Sequence, residues 1–294
     1  MTAYTAYTDE SNWNDGTYRS ICMISGKTSH IKAAEKKLGG LKFMWADFTD
    51  DKLRITAEKI IKTILPFCVN GLIRIDAIIW DVKETRHRIA RKDDAKNIGR
   101  MYHDLFLETF THRWPDGADW LLCPEERDQM DWGLLDEIQG YKSGQRGENS
   151  MFDKYAPSGT TQTKQAYEIK DIKKYSFKKS ALLQAAELFA GMACYSKHEY
   201  SKFIDWMDDN DRQMTMFDMN FKDFNAVHKA RFSVMKEFHE LCAAGKLGVG
   251  LKSYGCFNTA EAENPVNFRW HIPEIVLDKA VTRFKLTELK NKTL

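Results

Sequence analysis

Tyr4-Thr5-Ala6-Tyr7-Thr8-Asp9-Glu10-Ser11 is a run of aromatic and β-branched residues that ends on two adjacent carboxylates. Such composition favours an extended strand over residues 4–9, and Ser11-Asn12 breaks it. A strand that delivers an Asp at its end, beside a turn, is a common opening of a metal-dependent phosphoryl-transfer site. The reading gains weight only if other carboxylates can reach the same place.

Outward from this strand, residues 18–25 (Tyr-Arg-Ser-Ile-Cys-Met-Ile-Ser) predict a second strand, with Asn14-Asp15-Gly16 as turn chemistry between the two. Residues 30–38 read as a short basic helix that Gly39-Gly40 terminates, and residues 41–45 as a candidate third strand. Leu53, Ala57, Ile60, Ile61 and Ile64 keep helical spacing over residues 50–65, and Pro66 is expected to close that helix. Residues 72–82 form the strongest strand signal, nearly continuous in apolar β-formers, as a strand covered on both faces should be. It too ends on an acid, Asp81.

Further on, residues 95–114 predict a long helix and residues 119–123 a short strand stopped by Pro124 and Glu125-Glu126-Arg127-Asp128. A short helix is expected over 132–138, a mobile loop over 140–163 and a brief strand over 167–172. Helices are expected over 179–195 and 224–244, the latter ended by Gly245. Residues 200–221 carry no assignable period. Residues 247–251 and 266–271 look like a hairpin around the turn-rich 255–265, and the tail from Asp278 is polar. No internal repeat is visible. Two antiparallel strands followed by alternating strands and helices imply an α/β fold, a mixed sheet with helices on its faces.

Composition narrows the function classes. The 294 residues include 43% hydrophobic and 12% aromatic residues, enough for a substantial core. With 44 basic against 42 acidic residues the net charge is only +2, so any contact with a polyanion must come from a local patch. The six cysteines form no Cys-x-x-Cys pair and sit in apolar contexts, which predicts reduced, buried thiols. No signal peptide and no membrane-length apolar run are visible, so cytoplasmic residence is expected.

The acids form a pattern. If the first strand and the 72–82 strand run parallel and adjacent, Asp9 and Asp81 emerge at one edge of the sheet, where ligands of such folds bind. Glu187 sits among Ala186, Ala190 and Gly191, small neighbours that let its helix approach the strand ends. Hard divalent cations, Mg²⁺ or Mn²⁺, take such oxygen ligands, and two ions about 4 Å apart can clamp a phosphodiester displacement. Glu125 or Asp128 can replace Asp81 as a ligand. Ordinary readings stand beside these: Glu10 as a surface charge, Asp81 as a cap on its loop, Glu187 as a solvated helix position.

Two basic clusters flank the acids. Arg86, Arg88, Arg91 and Lys92 follow Asp81, with His87 among them. Lys173, Lys174, Lys178 and Lys179 lead, with Tyr175 and Phe177, into the helix of Glu187. Phosphate contacts of this kind position nucleic acid without reading its sequence. Lys42 is a further phosphate candidate, and His87 and His198 are candidate proton shuttles.

Asp9-Glu10-Ser11-Asn12 resembles the Asp-Glu-Ser-Gly signature that opens the domain-of-unknown-function family 3800 (DUF3800). Leu183-Gln184-Ala185-Ala186-Glu187-Leu188-Phe189-Ala190-Gly191 is similar to that family's closing helix, Leu-Gln-x-Ala-Asp-x-x-Ala-Gly. Lys246-Leu247-Gly248-Val249-Gly250-Leu251, Asn264-Pro265-Val266-Asn267-Phe268 and Asp278-Lys279-Ala280 look like one of its subgroups. The resemblance implies an RNase H-like domain over residues 1–200, with a helical and hairpin extension over 201–294 packed on it. It implies a metal-dependent nuclease, with catalytic roles carried to Asp9, the adjacent Glu10 and Glu187, and to Asp81 by its place at a strand end. The sequence departs from the family at Asn12 and Glu187, and the alternative is a catalytically degenerate module that binds nucleic acid or a protein partner. Neither the type of nucleic acid nor the oligomeric state is written in these motifs.

Overall fold

The computed structural model describes residues 3–11, 16–84, 94–115, 117–126, 167–212, 224–251 and 254–271. In chain order the elements are β1 (Tyr4–Ser11), β2 (Tyr18–Lys27), α1 (Thr28–Leu38), α2 (Asp51–Val69), β3 (Ile73–Asp81), α3 (Asp94–His112), β4 (Ala118–Pro124) and β5 (Tyr167–Ile172). A 3-10 turn (Phe177–Lys179) then leads to α4 (Ala181–His198), α5 (Tyr200–Arg212), α6 (Ala226–Ala244), β6 (Val249–Gly250), β7 (Asn258–Thr259) and β8 (Val266–Trp270).

Six strands make one mixed sheet in the order β5-β4-β1-β2-β3-β8. β1, β2 and β3 pair antiparallel, with Asp9 opposite Cys22 and Cys22 opposite Ala77. β4 runs parallel to β1, β5 parallel to β4, and β8 parallel to β3. The mixed α/β sheet flanked by helices is thus as the sequence predicts. β1 lies at the centre because both of its faces are apolar enough to be covered. Tyr7 looks into one core with Cys22, Ile24, Ile75 and Phe268, which α1, α2, α4 and α6 cover. Tyr4 and Ala6 look into the other, under Met101, Tyr102, Phe106 and Phe110 of α3. There the rings of Phe110 and Trp120 stack at 4.0 Å.

Helix starts follow their caps. Asp50 accepts from Leu53 N–H at the start of α2, Ser180 from Leu183 N–H at α4, and Asn225 from His228 N–H at α6. α2 runs through Pro66 to Val69 instead of closing there. A proline removes one intrahelical hydrogen bond, but the turn after it buries Phe67 and Cys68, and that burial carries the helix on.

Two further elements differ from expectation. Residues 41–45 are not a strand, because β3 already occupies the place beside β2. They belong to an irregular segment, residues 39–50, that buries Phe43, Trp45 and Phe48. Side chains answer its backbone groups: Gln184 Oε1 accepts from Phe43 N–H at 2.9 Å, and Arg231 donates to Trp45 O and Phe48 O. The second difference is at the C-terminal hairpin, which pairs Val249–Gly250 with Asn258–Thr259. The stretch from Val266 instead covers the edge of β3, an apolar edge that needs a partner. All six cysteines are buried and none is in a disulfide, as expected. No helix among the described residues is long and apolar enough to cross a membrane. The helix expected over 132–138, the loop over 140–163, and Asn12, Asp128 and His87 lie outside the described residues.

Candidate metal centre

Asp9 stands at the end of the central strand with its side chain on the α4 face, two residues beyond Tyr7. It is 4% exposed. Its Oδ1 accepts from Glu10 N–H at 2.8 Å, whereas Oδ2 is buried with no hydrogen-bond partner. Burial pushes this carboxyl well above the ordinary carboxylate range, and the charges of Glu10, Glu187 and Glu125 push it further.

Glu187 reaches the same place from α4, which crosses β1 and β2. That helix is buried along almost its whole length, and Ser20 Oγ donates to its Ala190 carbonyl at 2.6 Å. Glu187 Oε2 is buried without a partner. Its pKa is raised from 4.5 to about 8, chiefly by burial; the backbone N–H of Trp45 hydrogen-bonds the carboxylate and opposes the rise, and the charges of Glu125 and Asp47 add to it. Among the described residues, neither Asp9 nor Glu187 forms an ion pair.

Glu125 completes the group by topology. β4 is parallel to β1 with Thr8 opposite Pro124, so the next residue of each strand, Asp9 and Glu125, emerges at the same end of the sheet. Glu125 bridges to Tyr175, and Glu126 N–H donates to Tyr175 O at 2.9 Å. The chain from Lys173 to Lys179 therefore passes this end of the sheet on its way to α4. Lys173, Lys174, Lys178 and Lys179 are all exposed there, Lys173 with its Nζ 5.3 Å over the Tyr175 ring. Lys42 is exposed too, next to the Phe43 whose N–H is held by α4.

Other candidates stand elsewhere. Glu10 points to the opposite face of the sheet, where Tyr102 of α3 donates its hydroxyl to Oε1 at 2.6 Å. Asp81 shares the sheet edge with Asp9 but not the site. It lies two strands across and four residues beyond Ala77, the residue level with Asp9, which is about 13 Å along the strand. Its Oδ1 accepts from Lys83 N–H at 2.7 Å, so it caps its own turn, and its charge helps raise the Tyr18 hydroxyl. His198 is at the far end of α4, 3.0 Å from Glu199. Arg86, Arg88, Arg91 and Lys92 lie outside the described residues.

Sequence reading missed Asp47 and Trp45, which come from the irregular segment and obey no period. The one available signal was Gly191. A Cβ there would stand 2.3 Å from Cγ of Trp45, so the helix needs glycine to receive the indole.

The donor set is hard, all oxygen and anionic, and two of its buried oxygens have no partner, which fits a divalent cation. As the side chains stand, no three His, Cys, Asp or Glu among the described residues close around a common point.

No family model matches the chain. It is 29% identical over 296 residues to the uncharacterized protein ORF2 of Methanothermobacter thermautotrophicus, across 94% of this chain and 97% of that one. It is 30% identical over 294 residues to the uncharacterized protein ORF2' of the same organism, again across 94% of this chain and 97% of the relative. Neither name carries an activity, but the likeness runs almost end to end, and the chain belongs to the family of ORF2'.

Proposed function

We propose that the protein is a Mg²⁺- or Mn²⁺-dependent nuclease with an RNase H-like core of the DUF3800 type. The observation that carries this reading is the pairing of Asp9 and Glu187. A central strand and a buried helix bring two carboxylates together, and each keeps a buried oxygen without a partner. Burying one unpaired acid is costly, and two more so. A fold keeps such a pair where a cation neutralises it. The strand order supports the same reading, since it sets Asp9 and Glu125 side by side at the ends of parallel strands.

Asp9, Glu187 and Glu125 would hold the ion. When bound, it supplies a Lewis acid for a phosphoryl oxygen and lowers the pKa of an attacking water. The remaining work belongs to the chain. Lys173, Lys174, Lys178 and Lys179 meet phosphates beside the site and hold the backbone over it. Nothing in the site selects among single-stranded DNA, duplex DNA, RNA and RNA–DNA hybrid.

A second reading, a degenerate module that binds nucleic acid without cutting it, draws on the open arrangement of the acids. One experiment separates them. Mn²⁺ at 100 times its dissociation constant stabilises the folded state by about 2.7 kcal/mol, so the melting temperature of wild type should rise and that of Asp9→Asn should not. Cleavage assays on the four substrates in Mn²⁺ then test turnover. Equal melting with and without Mn²⁺ in both proteins would rule out the metal centre.

A further inference from the structure

The irregular segment 39–50 is held far more firmly than its lack of regular structure suggests. Trp45 O accepts from Phe48 N–H at 3.1 Å, closing a four-residue turn. Arg231 of α6 binds that turn from beneath: Nη2 donates to Trp45 O at 2.9 Å and Nε to Phe48 O at 3.2 Å. The guanidinium lies 4.9 Å from the Trp45 ring centre and 5.0 Å from that of Tyr195. Trp45 and Phe48 are buried, and the indole lies on Gly191, one turn of α4 beyond Glu187. The two residues between them, Ala46 and Asp47, are exposed. The turn faces the site: its Trp45 N–H bonds the Glu187 carboxylate, and Asp47 is near enough for its charge to be felt there. The Asp47 carboxylate makes no hydrogen bond or ion pair among the described residues, although its backbone carbonyl accepts from the Thr49 hydroxyl at 3.4 Å. A firmly anchored turn that holds this carboxylate near Glu187 sets up a repulsion that a cation between the two would remove. The buried, partnerless Oδ2 of Asp9 independently marks where positive charge is missing.

We infer that the turn 45–48 is a fixed arm of the cation site, in which Asp47 serves as a fourth carboxylate and Arg231 is the positioning residue that holds the arm. This rests on the metal-centre reading above. Arg is suited to the task because its planar fork serves two carbonyls while its face stacks on aromatic rings; Lys keeps the charge but cannot do both.

The test is a calorimetric Mn²⁺ titration of the full-length protein as wild type, Asp9→Asn, Asp47→Asn, Asp51→Asn and Arg231→Lys, with the electron paramagnetic resonance spectrum of bound Mn²⁺. Asp47→Asn should weaken binding about 10-fold or more while the cation-free melting temperature stays the same or rises. Asp51→Asn, which removes an exposed charge a few residues away, should leave the affinity unchanged. Arg231→Lys should weaken binding by a similar factor and alter the spectrum, although no charge is lost. If wild type binds, Asp9→Asn does not, and Asp47→Asn binds as Asp51→Asn does, the arm is refuted and the metal centre stands. If wild type binds no Mn²⁺, both fall together.

Discussion

A carboxyl group that is buried beside its own kind binds protons more tightly in the folded chain than in the unfolded one. Glu187, raised from 4.5 to about 8, is such a group, and Asp9 is shifted in the same direction. The folded state therefore holds protons that the unfolded state releases between those values. Stability from this source is fully present below about pH 4.5 and is lost as pH rises toward 8. The cation-free protein should melt at steadily lower temperature over that window. Glu187→Gln should flatten the slope and melt higher than wild type at pH 8, by scanning calorimetry in chelator. Cation affinity should run the other way, strengthening as pH rises and the competing proton leaves. Glu10 makes a contrasting case. It follows Asp9 in sequence, but the two-residue period of a strand sends it to the α3 face and to Tyr102. Glu10→Gln should thus leave the Mn²⁺-induced rise in melting temperature nearly intact, whereas Asp9→Asn abolishes it. Asp9 and Glu187 were legible in the sequence because a strand end and a small-residue helix face are local patterns. The displacement of Asp81 was not, because register between strands depends on pairings that no single strand encodes.

At the level of elements, α4 and the segment before α2 show how an irregular stretch is fixed by a regular one. Strands and helices with strong periods, β1, β2, β3, α3 and α6, were readable within a few residues. The segment 39–50 was not, because its hydrogen bonds go to Gln184 and Arg231, residues more than a hundred positions away. β8 was legible as a strand but not as a neighbour of β3, since pairing partners far apart in sequence leave no short-range trace. Gly191 gives this arrangement a test of sign. Within a helix, Gly→Ala ordinarily stabilises by about 0.5–1 kcal/mol. Here the added Cβ meets the rigid indole of Trp45 at 2.3 Å, between two buried elements. Gly191→Ala should therefore destabilise by about 1–3 kcal/mol in urea unfolding. It should also weaken Mn²⁺ binding, because the indole cannot move without carrying the turn that holds Glu187. A stabilised Gly191→Ala protein would show that the helix and the turn are not in the contact described.

At the scale of the whole molecule, the sheet draws on both halves of the chain. Residues 1–200 supply five strands, but the sixth, β8, comes from beyond α6, and α6 itself packs on α2. The join is polar as well as apolar. Arg74 and Asp76 of β3 pair at 3.1 Å while almost fully buried, and Arg74 also donates to the carbonyls of Glu263 and Asn264 at 3.1 and 2.7 Å. Asn267 of β8 donates to Asp76 at 3.4 Å. Removing one partner of a buried pair costs about 3–5 kcal/mol, because the other charge stays buried alone. Arg74→Met should accordingly lower the urea midpoint of the full-length protein by a large part of its stability. Truncation after residue 200 removes Glu263, Asn264 and Asn267 at once and leaves the Arg74–Asp76 pair without them. It bares the β3 edge along Ile75, Ala77 and Ile79 and the faces of α2 and α4 that Phe238 and Phe232 cover. A long, flat, apolar edge is a template for pairing between chains. The 1–200 fragment should therefore aggregate, or remain compact with no cooperative melt in near-ultraviolet circular dichroism. A sharp, reversible transition from that fragment would mean that the sheet stands without its sixth strand, and that β8 is an addition to the fold and not part of what makes it.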